Sequence, residues 1–164
     1  VFHVQHLDLT AYDVAERYTG VKETPGLTST PVVKAMLNLD RKSAVLEDET
    51  PWCSAFVNWI CWHLRLPRSK SLAARSWLGV GRPISLQHAV RGFDIVVLQR
   101  GVGTQPGPEV IAAPGHVGFY SAFDFDPSTN QVKSVALLGG NQADAVNVQV
   151  FPVGRVLGVR RLLE

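Results

Sequence analysis

After Gly92 the apolar residues of this chain change their spacing, and that switch constrains the fold more than any other feature of the sequence. Before it the pattern is helical. Thr10-Ala11-Tyr12-Asp13 reads as an N-cap with an acid three residues on, opening a helix that Gly20 stops. A loop rich in Pro, Gly, Thr and Ser runs from Thr24 to Thr30, and Pro31 then suits the first turn of a helix reaching about Leu39. Trp52 to Leu64 reads as a third helix, and Ser71 to Leu78, closed by Gly79, as a fourth. Beyond Gly92 come runs rich in Val, Phe and Leu: Phe93 to Gln99, His116 to Phe125, Val132 to Leu138, Ala145 to Val153 and Val156 to Leu162. Helices followed by neighbouring strands predict an α+β fold, its helices packed on an antiparallel sheet of about five strands. No repeat or low-complexity segment divides residues 1–164, which read as one domain.

Composition narrows the function classes. At 46% hydrophobic and 18% charged, the chain has enough apolar residues for a sizeable core. No run of eighteen apolar residues offers a membrane span. The opening VFHVQHLDLT lacks the basic-then-apolar order of a signal peptide, so the expectation is synthesis in the cytoplasm. A net charge of +2 gives no clustered basic face of the kind nucleic acid requires.

The third helix, within DETPWCSAFVNWICWHL, carries a cysteine at its first turn just after a proline. At about 100° per residue, Cys53, Phe56, Val57, Ile60, Cys61 and Leu64 share one face, and Trp52, Trp59 and Trp62 form a second stripe. Ser54, Asn58 and Arg65 are left as a narrow polar edge. Such a helix is central, packed on two sides. Cys53 and Cys61 lie roughly 12 Å apart along it, beyond the ~7 Å limit for a disulfide, so both read as free thiols. Neither C-x-x-C nor H-E-x-x-H is present, and no metal site is expected. At a helix N-terminus, free backbone N–H groups and the dipole favour a thiolate and can hold an oxyanion. Cys61, two turns into the apolar body, has neither advantage. On position alone, a free cysteine on an apolar helical face is more often a buried structural thiol than a nucleophile.

A catalytic cysteine needs a base. His63 stands roughly 15 Å further along the same helix and cannot reach. His3 and His6 lie near the start of the chain, and His88 sits in a polar connection. His116 opens the strand HVGFYSAF after a Pro-Gly turn, where a side chain can point toward a helix N-terminus, and Gly115 and Gly118 leave room beside it. A third group to orient the imidazole is sought in LLGGNQADAVNV, with Asn141, Gln142 and Asp144 as candidates. The alternative for Gly139-Gly140-Asn141 is a plain turn.

In order, DETPWCSAFVNW, FDIVVLQRG, GHVGFY, LLGGNQADAVNV and the closing VLGVRRL resemble the papain-like cell-wall cysteine peptidases of the NlpC and CHAP type, especially small phage or prophage lysin-like members. The likeness runs from YTGVKETPG to the last residues. It implies a papain-like fold and hydrolysis of an amide bond in peptidoglycan, by an endopeptidase or an N-acetylmuramoyl-L-alanine amidase, without metal or organic cofactor. Carried over by position, the nucleophile falls on Cys53, the base on His116 and the orienting residue on Asn141. Trp52 and Ser54, flanking the cysteine, are candidate substrate contacts. Asp48 and Glu49 are candidates for substrate ammonium groups, or acids that favour a helix N-terminus. Many NlpC-type members place a histidine third, whereas none follows His116 here, and Gly139 and Gly140 stand where CHAP members often carry an acid. A monomer acting on the bacterial wall after release or delivery is expected. The alternatives are an effector delivered between cells, which would have an immunity protein as partner, and a non-catalytic wall-binding module.

Overall fold

The computed structural model describes residues 7–24, 30–41 and 51–164. The helical part comes first. Helix α1 spans Ala11–Glu16, and Thr10 caps it in a full capping box: Asp13 N–H donates to the Thr10 hydroxyl and the Thr10 N–H to the Asp13 carboxylate. The turns after it end at Gly20, whose φ of +91° suits glycine. Helix α2 spans Pro31–Asn38 with the proline at its first position, and α3 spans Cys53–His63.

The fourth predicted helix is instead a 3-10 segment, Ala74–Gly79. The cause lies just upstream. The Ser71 carbonyl accepts from the Ser54 hydroxyl at 2.6 Å and from the Asn58 amide at 3.2 Å, so this stretch is tied to α3 and its carbonyl is unavailable to a helical ladder. Ser54 and Asn58 of the expected polar edge are therefore buried and paired, with Lys70 N–H also donating to the Asn58 side chain, whereas Arg65 lies past the end of α3 and is exposed.

Among the described residues six strands form one antiparallel sheet: β1 (Arg82–Ile84), β2 (Asp94–Gln99), β3 (Gly115–Asp126), β4 (Gln131–Gln142), β5 (Ala145–Pro152) and β6 (Val156–Arg161), in the order β1-β6-β2-β3-β4-β5. The sequence predicts about five, and β1 is the addition. Three residues are too few to show alternation, and Pro83 is tolerated because β1 is an edge strand. Strand β4 also runs past Leu138 through the glycines to Gln142, so Gly139-Gly140-Asn141 is strand rather than turn.

Both faces of the sheet are covered. Ile95, Val97, Val117, Phe119 and Leu138 pack on Phe56, Val57, Ile60 and the other helical residues, while Val96, Leu98, Tyr120, Leu137 and Val159 form a second cluster on the opposite face. Helix α3 lies against β3 and β4, which sets its first turn beside the start of β3. Phe56 is fully buried and meets Phe119 edge to face at 6.3 Å, a contact that fixes α3 on the sheet. Among the described residues no helix is long and apolar enough to cross a membrane.

Candidate active site

Cys53 is the first residue of α3, and the residue before it offers no side-chain cap. The N-cap is Trp52, where Ser, Thr, Asp or Asn would bind the first-turn N–H groups, so those donors remain for another acceptor. The backbone N–H groups of Val117, Ser54 and Cys53 itself bear on the Cys53 sulfur and favour its anionic form. Burial outweighs them: Cys53 is 3% exposed, and desolvation pushes its thiol above the ordinary cysteine range. The lowered pKa expected from the helix terminus is thus not found at Cys53. Cys61, also buried and lacking those donors, is pushed up to about 12.

The Val117 contact seats the sulfur one residue along β3 from His116. The imidazole is buried, and desolvation lowers its pKa to about 4, with Arg100 and Arg155 acting in the same direction and the hydrogen bond it donates to Gln142 opposing them. No hydrogen bond joins the sulfur to the ring. The ring instead pairs its Nε2 with the Gln142 side-chain oxygen at 2.9 Å. The orientation of that amide is fixed, because its nitrogen end faces only acceptors: the Leu137 carbonyl at 3.2 Å, the Asn147 carbonyl at 2.6 Å and the Asn147 Oδ1 at 3.1 Å. Oε1 can then only accept, so Nε2 of a neutral His116 carries the proton and Nδ1 keeps the lone pair.

The side chain that bonds the His116 ring is therefore Gln142 and not Asn141. Asn141 takes a left-handed φ of +57°, and the β4–β5 register slips by one residue between Gly139 and Gln142. This bulge turns the next side chain, Gln142, onto the face that bears His116. Asp144 is exposed in the two-residue turn that follows, where Ala143 and Asp144 both have positive φ, as a type I′ hairpin requires. Two glycines make the approach possible. A Cβ on Gly139 would stand 2.8 Å from Gln142 Oε1 and 3.3 Å from His116 Nε2, and one on Gly140 would stand 2.6 Å from the Trp52 ring.

A solved structure shares this arrangement of elements. NlpC1 from Trichomonas vaginalis superposes on 93% of the chain with a TM-score of 0.53 and 17% sequence identity. The fold is NlpC-like. This chain spans 42% of that protein's length. No family profile and no curated protein matches the sequence.

Within the NlpC-like frame two recesses flank the cysteine and histidine. One, about 400 Å³, is lined by Cys53, Leu72, Ala74, Pro114 and Gly115. The other, about 200 Å³, is lined by His116, Asn141, Gln142, Gln149 and Phe151, and Arg100 borders both. The loop between β2 and β3 forms part of the wall. Arg75, fully buried, donates to the Pro114, Pro106 and Gly107 carbonyls and holds that loop down.

The two residues beside the cysteine have structural work and no surface to offer a substrate, which corrects their reading as substrate contacts. Trp52 is fully buried, its indole N–H donating to Glu23 at 2.8 Å. Ser54 is fully buried, accepting from the Trp77 indole at 2.8 Å and donating to Ser71. Asp48 and Glu49, like His3 and His6, lie outside the described residues. Gln142, Arg100 and Arg155 are among the cleft residues the sequence did not single out as primary, and for Arg100 its place directly after a strand facing His116 is the one available signal.

Proposed function

We propose that the protein is a cysteine hydrolase of papain-like mechanism that cleaves an amide bond of bacterial peptidoglycan. The observation that carries this reading is the fixed Gln142 amide, which leaves Nδ1 of His116 as a base on the strand against which the uncapped first turn of α3 sets the Cys53 sulfur. The NlpC-like fold and the sequence resemblance supply the substrate class.

The chemistry follows from the neutral pair. With the thiol above its ordinary range and the imidazole below its own, both groups are uncharged near pH 7, so His116 acts as a general base and not as half of a standing ion pair. Catalytic contacts are commonly loose without substrate and close when it binds. Nδ1 takes the thiol proton as sulfur forms a bond to the amide carbonyl carbon. The first-turn N–H groups of α3 receive the negative oxygen. Collapse of the tetrahedral intermediate breaks the C–N bond, and Nδ1 returns the proton to the departing amine. Water then gives a proton to Nδ1 and its oxygen to the thioester carbonyl, and the C–S bond breaks to release a carboxylate and restore the thiol.

Mass spectrometry of purified muropeptides digested with the protein tests the reading. New peptide termini identify an endopeptidase, and free lactyl carboxyl groups on muramic acid identify an amidase. Muropeptides left intact at high enzyme concentration would overturn it.

A further inference from the structure

Two arginines border the histidine side of the cleft with no acid opposite them among the described residues. Arg100 follows β2 and Arg155 lies in the turn before β6, and both line the recess of about 200 Å³ that contains His116. Arg155 is held in place from behind. Its Nε donates to the Gln99 carbonyl at 3.1 Å, and its guanidinium stacks on the Phe151 ring at 5.1 Å, which uses neither terminal nitrogen. Arg100 makes no side-chain hydrogen bond or ion pair among the described residues, and it also borders the recess that contains Cys53. No acidic side chain lines either recess among the described residues. Arg68, Arg82 and Arg161 are each answered by a carboxylate and Arg75 and Arg160 by backbone carbonyls, whereas the terminal guanidinium nitrogens of Arg100 and Arg155 have no partner among the described residues and face the cleft.

We propose that Arg100 and Arg155 form a carboxylate-binding subsite, so that the enzyme selects peptides bearing a free carboxylate, rather than a carboxamide, next to the scissile amide. The forked guanidinium donors match a carboxylate, whereas a carboxamide would turn an N–H₂ toward two cations. Phe151 keeps Arg155 aimed and Gln149 adds a neutral polar wall, so the recess favours charge without a further specific donor. A bound carboxylate would also offset the two positive charges that bear on His116 and so strengthen it as a base once substrate is in place. The position of the subsite relative to the scissile bond rests on the amide-hydrolase reading, but its binding preference does not.

The test separates the two. Calorimetry on the Cys53→Ala protein would compare a synthetic stem peptide with free carboxylates and the same peptide as its carboxamides. The expected result is at least about tenfold tighter binding of the carboxylate form. That preference should shrink with added salt and fall to within about twofold when Arg100→Gln and Arg155→Gln are combined. Unchanged affinity of the combined variant for the carboxamide peptide shows that its fold is intact. Equal affinity for both peptides, a preference that survives both substitutions, or no binding of either peptide would overturn the subsite. A clear preference in a protein whose Cys53 form cleaves neither peptide would leave the subsite standing and remove the hydrolase reading. A second probe avoids peptides altogether: iodoacetate should gain on iodoacetamide as an alkylator of Cys53 relative to the ratio in the double arginine variant, and equal ratios would count against the subsite.

Discussion

At the scale of single residues, the buried His116 controls how the protein responds to pH. Its folded pKa of about 4 lies below the ordinary histidine value, so the unfolded chain binds a proton there before the folded one does. The resulting stability is fully present above about pH 6.5 and is lost as pH falls toward 4, a total of about 3 kcal/mol. Chemical denaturation at pH 7 and pH 4 should show this loss, and a His116→Gln protein should show markedly less of it. The acid limb of kcat/KM should likewise fall near pH 4, and a midpoint near 6.5 would mean that the imidazole is solvated. Alkylation of Cys53 and of Cys61 should be slow at neutral pH and rise toward alkaline pH, because burial raises both thiols. The cysteine and the histidine could be picked out in the sequence, because a helix start after a proline and a strand start after Pro-Gly are local signals. Their shifted pKa values could not, since desolvation depends on what the rest of the chain packs around them.

At the scale of elements, the bulge in β4 decides which polar side chain serves the histidine. By strict alternation Asn141 would share the face of Gly139, whereas the extra residue at the bulge moves that place to Gln142. The sequence shows the polar cluster but not the slip, which is why it points one residue too early. Gln142→Ala should lower turnover by about 10- to 10³-fold while Cys53 can still be alkylated, because the imidazole loses its orientation and the nucleophile remains. Asn141→Gly should keep turnover within a few fold, since glycine accepts the left-handed φ that the bulge needs. A fully active Gln142→Ala protein would return the orienting role to another group. Gly140→Ala makes the complementary point about packing. Its methyl group would meet the Trp52 ring and Phe56, so the melting temperature should drop by the equivalent of about 1–3 kcal/mol and activity should fall with it. The missed strand β1 and the 3-10 segment share one cause: each is set by tertiary partners, β6 for the first and the side chains of α3 for the second.

At the scale of the whole molecule, helices first and an antiparallel sheet second were legible because binary patterning reports burial directly, and both faces of the sheet are covered. The layering places the first turn of α3 against the start of β3, and the glycines of β4 leave room for the Gln142 and His116 side chains on one face and for Trp52 and Phe56 on the other. The central claim is that this junction makes Cys53 a nucleophile, and a paired digest of purified peptidoglycan tests it most directly. The unaltered protein and Cys53→Ala would be compared at equal concentration, with release of new amine and carboxyl ends followed by mass spectrometry and folding checked by thermal melts. Steady release by the unaltered protein is expected, none above background by Cys53→Ala, and melting temperatures within a few degrees because a small side chain is replaced by a smaller one. Release by Cys53→Ala at the rate of the unaltered protein would contradict the claim.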